Sequence, residues 1–147
     1  VYNNSMKLFD PIPGNSNSIE AGKARTTGMV PTVLFRDGRP AIVVGAPGGS
    51  VIISAVLQAI VNIVDFGMSP LEAVTVPRIH CEGAALHAEA RVMGSVCREL
   101  AAMGHTVEQS AISFDPVMSR AHVVEIGSDG GWRGGADPRG GGGIAVA

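Results

Sequence analysis

A short β-rich run, Ala41–Val44, ends in Gly45-Ala46-Pro47-Gly48-Gly49-Ser50 and passes at once into the most apolar stretch of the chain, Val51–Val64. This junction constrains the fold more than any other feature. A proline followed by two glycines makes a sharp turn, and Ser50 stands where a helix cap is wanted. Polar residues then recur at 54, 58, 62 and 65, which gives one narrow polar stripe on an otherwise apolar cylinder. The spacing predicts a largely buried helix. The run is too short to cross a bilayer and is interrupted by Ser54, Gln58 and Asn62, so it reads as a core helix and not a membrane span.

The remaining elements follow from local signals. Thr32–Phe35 and Ala41–Val44 flank Arg36-Asp37-Gly38-Arg39, and Asp-Gly between two β-rich runs predicts a tight hairpin. Gly67 ends the apolar helix. Ser69-Pro70-Leu71-Glu72 has capping-box spacing with proline in the first turn, which predicts a second helix to Val76, ahead of Pro77. Arg78–Cys81, Ala88–Val92, Thr106–Gln109 and His122–Ile126 read as strands, with Ser95–Met103 as a helix before Gly104. Gly127–Gly131 turns the last strand back into Trp132-Arg133-Gly134, and Val1–Asn4 reads as the end of a strand. Strand pairs and helices in mixed order predict an α+β fold of sheets covered by helices, in one domain over 1–147.

Composition excludes several classes. With 46% hydrophobic and 16% charged residues in 147, the chain has ample core material and is not of a disordered type. Net charge is −2 and the 11 basic residues are scattered, so there is no footprint for nucleic acid. Cys81 and Cys97 make neither a disulfide framework nor a zinc site, and free buried thiols are expected ahead of a Cys81–Cys97 pair. The four histidines are too scattered for a metal site. The start at Val1, without an initiator Met, reads as the continuation of something upstream, and the compartment stays open.

On physical grounds the best site for chemistry is Gly48-Gly49. Two consecutive amides without Cβ hindrance, at the positive end of a helix dipole, are the parts of an oxyanion hole for acyl transfer. On these grounds alone, a tight strand-to-helix turn that merely needs glycine is the preferred reading.

Several further segments fall into a recognisable order. Asn3-Asn4-x-Met6 is followed by Met29-x-Pro31-Thr32, Asp37-Gly38 and Gly45-Ala46-Pro47-Gly48-Gly49-Ser50. Then come Asp65-Phe66-Gly67-Met68, Glu72-Ala73, Pro77-Arg78-Ile79-His80 and Ala136-Asp137-Pro138-Arg139. In this the chain resembles the small subunit of the γ-glutamyltranspeptidases over nearly its whole length. The resemblance implies an αββα N-terminal-nucleophile sandwich, two stacked sheets flanked by helices. It also implies a self-cleaving proenzyme, whose large subunit would be the partner and a small-molecule amide the substrate. The nucleophile would be an N-terminal threonine upstream of this chain, acting without a cofactor.

The resemblance assigns Gly48 and Gly49 to the oxyanion hole. It assigns Thr27 and Gly28 to a serine pair that holds the donor's α-carboxylate, and Asn4, Ser5 and Lys7 to the donor-binding segment. Neither Thr26 nor Thr27 is a nucleophile, since neither has a free α-amine as base. For Thr27, a loop threonine capping a backbone group is the structural alternative. Asp137 and Arg139 are expected to pair and fix the glycine-rich tail.

The largest departure is Asn3-Asn4-Ser5-Met6-Lys7-Leu8-Phe9. The family places Gln or Glu at the position of Ser5 and an Asp at that of Leu8, and both grip the donor's α-ammonium. Leu8 accepts no hydrogen bond through its side chain, and Lys7 repels an ammonium. The leading expectation is a γ-glutamyltransferase-like amidohydrolase or acyltransferase. The alternatives are an amidase acting on a glutaryl- or oxamyl-type donor without an α-amine, and an inactive paralogue serving as a binding module.

Overall fold

A computed structural model describes residues 4–145. Of the strand end expected at Val1–Asn4 only Asn4 is described, and it is left-handed (φ 52°) ahead of a 3₁₀ turn, not strand, while the rest lies outside the described residues. Strands β1 (Thr32–Arg36) and β2 (Arg39–Gly45) form the expected antiparallel hairpin. Asp37 and Gly38 both have positive φ, 52° and 76°, the turn geometry whose twist matches that of the paired strands. β2 also pairs with β6 (His122–Ile126), and β6 with β7 (Trp132–Ala136), giving the antiparallel order β1-β2-β6-β7.

Helices α1 (Val51–Val64) and α2 (Pro70–Thr75) cover one face of this sheet. Ile52, Val56, Ala59 and Ile63 of α1 meet Ile42, Val44, Ala121 and Val123 of the sheet layer, with Ala73 and Val74 of α2 closing the cluster. Burying each larger aliphatic side chain contributes about 1.5–3 kcal/mol. α2 has the predicted capping box: Ser69 Oγ accepts from the Glu72 amide at 3.4 Å, and Glu72 Oε2 accepts from the Ser69 amide at 2.8 Å. The opposite face of the sheet carries Val33 and Val43 in register, both exposed.

A second, three-stranded sheet has the order β3-β4-β5. β3 (Ile79–Cys81) and β4 (Leu86–Ala88) are antiparallel. β5 (Val107–Gln109) runs parallel to β4 after the crossover helix α3 (Gly94–Ala102). The architecture is α+β, with two sheets and a few helices.

Four local expectations change. The helix α1 is not largely buried, and the polar residues of its stripe other than the exposed Asp65 turn to the protein. Gln58 donates to the Ile79 carbonyl at 2.8 Å and accepts from its amide at 3.1 Å, while Ser54 Oγ lies 2.8 Å from His80 Nδ1. Gln58 thus satisfies the free edge of β3, which would otherwise leave backbone groups unpaired. The surface of α1 instead exposes Ile53, Leu57 and Val64. Ser50 is itself helical (φ −68°, ψ −30°) and its side chain caps nothing. The strand expected over 88–92 is Leu86–Ala88, because the chain turns away at Glu89 to bury its carboxylate among two arginines. Cys81 is exposed and Cys97 half-buried, both free thiols, not buried ones.

Candidate active site

The turn between β2 and α1 puts Gly48 at φ 142° and Gly49 at φ 75°, conformations that cost an L side chain dearly. The Gly49 and Ser50 carbonyls accept from the amides of Ile52 at 3.4 Å and Ile53 at 3.2 Å, closing the first turn of α1 tightly. Among the described residues nothing accepts a hydrogen bond from the Gly48 or Gly49 amide. Both glycines are exposed. Two unsatisfied donors therefore sit at the N-terminus of a 14-residue helix, whose dipole adds positive potential there. Such an arrangement receives a negatively charged oxygen.

The segment Thr26–Gly28 is laid against this turn. Gly28 is buried, and a Cβ on it would overlap the Gly49 carbonyl and lie 3.0 Å from Ser50 Cα. Thr27 is exposed, and its Oγ1 accepts from the Met29 amide at 3.1 Å. That is the backbone-capping arrangement, and it leaves the hydroxyl proton available to a ligand. Asn4 (φ 52°) begins a 3₁₀ turn over Ser5–Leu8 on which Lys7 is exposed. The Leu8 carbonyl ties this turn to the same segment, accepting from Thr26 Oγ1 at 3.0 Å and from Asn17 Nδ2 at 2.6 Å. The structure thus links Asn4, Ser5 and Lys7 through Leu8 to Thr26, and Thr27-Gly28 to the glycine turn.

Behind the turn lies a buried ion network. Arg78 contacts Asp137 at 2.6 Å, Asp137 contacts Arg139 at 3.0 Å, and Arg139 contacts Glu89 at 2.5 Å and 2.6 Å. Two positive and two negative groups balance. Their remaining donors and acceptors go to backbone: Arg139 to the Val74 and Val76 carbonyls, Asp137 from the Ala121 amide, Glu89 from the Arg78 and Asp115 amides. Burial, joined by the neighbouring Arg139 charge, pushes the Arg78 guanidinium below its ordinary pKa. Burial acts the same way on Arg139, but Glu89 and Asp137 outweigh it and raise the value.

The expected Asp137–Arg139 pair is present, and it ties the Val74 carbonyl of α2 to the Ala121 amide just ahead of β6. Sequence reading missed Arg78 and Glu89 as the network's other two members, and Ser119, whose Oγ donates to the Pro47 carbonyl at 2.6 Å. An isolated acidic residue after an apolar run was the available signal for Glu89; for Ser119 there was none. Beside the start of α1 a cleft of about 260 Å³ is lined by Val51, His80, Glu82, His87, Val117 and Met118. A larger hollow of about 710 Å³ lies at the opposite end of β2, between the turns at 36–39 and 127–130, remote from the glycine turn.

The family model described as Gamma-glutamyltranspeptidase matches residues 1–147. The chain is 42% identical over 124 residues to the Acylase ACY 1 proenzyme of Pseudomonas sp. (strain V22), covering 79% of this chain and 22% of that protein. It is 38% identical over 120 residues to the Glutathione hydrolase proenzyme of Bacillus subtilis (strain 168), covering 81% and 20%. The chain therefore spans about a fifth of the length of these curated relatives. Among solved structures, a mutant Helicobacter pylori γ-glutamyltranspeptidase superposes with a TM-score of 0.81 at 34% identity, covering 94% of this chain and 80% of that one. The Pseudomonas nitroreducens enzyme complexed with L-DON gives 0.83 at 29%, covering 99% and 80%.

Proposed function

The chain belongs to the γ-glutamyltranspeptidase family, and on that premise we propose that it supplies the oxyanion-binding and donor-binding part of an amide-cleaving acyl-transfer enzyme. The nucleophile is an N-terminal threonine, outside this chain, released by self-cleavage of a proenzyme whose larger part is the partner. Its α-amine takes the hydroxyl proton as the oxygen attacks the amide carbonyl. The Gly48 and Gly49 amides receive the charge that develops on the carbonyl oxygen. Collapse expels the amine with that proton, leaving an acyl-enzyme that water or another amine resolves.

The observation that carries this reading is the pair of unsatisfied amides at the start of α1, held at positive φ. The names of the relatives, acylase and glutathione hydrolase, support amide chemistry. Thr27, Gly28, Asn4, Ser5 and Lys7 form the donor site. A donor bearing a carboxylate but no α-ammonium suits it best, because Lys7 and the Thr27 hydroxyl favour an anion and the Leu8 side chain offers an ammonium nothing.

The test is Gly49→Ala in the processed, full-length protein. Loss of one oxyanion donor lowers turnover by about 10²–10³. Turnover within about threefold of the parent, well short of that loss, would remove the glycine turn from the mechanism.

A further inference from the structure

Ser119 occupies φ 66°, ψ −179°, a backbone region that is almost the preserve of glycine. Among the described residues the other non-glycines at positive φ are Asn4 and Asp37, of the types that tolerate the left-handed region. Ser119 is neither, and it is only 2% exposed. Its surroundings hold it there. The Ser119 carbonyl accepts from Arg78 Nη1 at 3.3 Å, as does the Met118 carbonyl at 3.3 Å. Two residues on, the Ala121 amide donates to Asp137 Oδ2 at 2.7 Å. The buried ion network therefore grips the backbone on both sides of this serine.

What the strained residue presents is its hydroxyl, which donates to the Pro47 carbonyl at 2.6 Å across 72 residues of sequence. The same side chain walls Gly48: a Cβ built there would lie 3.0 Å from Ser119 Oγ and 3.1 Å from its Cβ. The Pro47 carbonyl and the Gly48 amide belong to one peptide unit. In a planar trans peptide the C=O and N–H vectors point in opposite directions, so fixing one aims the other. A carbonyl that accepts a hydrogen bond also polarises its own N–H into a stronger donor.

We propose that Ser119 is a positioning residue for the oxyanion-binding turn, holding the Pro47–Gly48 peptide so that the Gly48 amide faces the charge that develops in catalysis. This rests on the function proposed above and extends it to a residue of another element. The strain is the cost of bringing a hydroxyl to a place that a relaxed backbone would not reach.

The experiment compares Ser119→Ala, Ser119→Gly and Gly49→Ala in the full-length processed enzyme, with rates normalised to processed protein. Ser119→Gly removes the backbone strain together with the hydroxyl, so it keeps the test available if Ser119→Ala fails to mature. Both serine variants are expected to lose about 10–100-fold in kcat, part of the loss for a whole donor, with KM within about threefold. The affinity for a boronic acid that places an oxyanion in the turn should fall by the same factor, which a purely structural role would not cause. Parent-like kcat in folded Ser119→Gly, beside a damaged Gly49→Ala, overturns the role of Ser119 alone. Parent-like kcat in Gly49→Ala overturns the oxyanion turn itself, and this inference with it.

Discussion

Gly28 packs so closely on Gly49 that a Cβ added to Gly28 would overlap the Gly49 carbonyl oxygen, with Ser50 Cα at 3.0 Å. The obstacle is backbone, which cannot swing aside as a side chain would. The segment proposed to bind the donor and the turn proposed to hold the oxyanion are therefore fixed to each other. Gly28→Ala must push the turn away, and a displacement of about 1 Å at such a site costs on the order of 10² in rate. We expect kcat to fall by about that factor while the protein still folds. Turnover equal to the parent would show that the contact does not set the turn's position.

The donor segment predicts a preference. Each charge-assisted hydrogen bond lost to an ammonium removes about 1.5–3 kcal/mol, roughly 10–100-fold in kcat/KM. A glutaryl anilide should therefore be cleaved with a higher kcat/KM than the γ-glutamyl anilide on the same preparation. A clear preference for the γ-glutamyl compound would mean that another residue supplies the missing carboxylate.

The ion network predicts a stability effect. Glu89 and Arg139 are fully buried and bonded to each other, so Arg139→Gln leaves a buried carboxylate undercompensated. Breaking such a pair destabilises by about 3–5 kcal/mol. Denaturant unfolding of the full-length protein should report a loss of that order, and Glu89→Gln added to it should recover part of the loss.

The capping box predicts a pH effect. The hydrogen bond with the Ser69 side chain, followed by that from the Ser69 amide, holds the Glu72 carboxyl below its ordinary pKa. A depressed folded-state value means that the contribution is present above the ordinary carboxylate range and is lost as pH falls through the folded value. Glu72→Gln keeps the hydrogen-bonding shape without the charge. The thermal midpoints of parent and variant should differ at neutral pH and converge on acidification. A gap that widens in acid would contradict the assignment.

What the sequence settled by itself was local. The Asp37-Gly38 hairpin, the Ser69–Glu72 capping box and the turn from β2 into α1 depend on residues within a few positions of one another, and their backbone preferences act before any tertiary contact forms. The family was legible for the same reason, since its motifs are short and ordered along the chain. Tertiary structure decided which face of α1 is covered, because Gln58 had to satisfy the edge of β3 and its polarity said nothing about where that edge would be. It also decided the meeting of Glu89 with Arg139, 50 residues apart, and of Ser119 with Pro47, 72 residues apart. Those pairings bring buried charges and hydroxyls to partners that no local spacing encodes, since burial makes an unpaired polar group costly but leaves its partner to be chosen by packing.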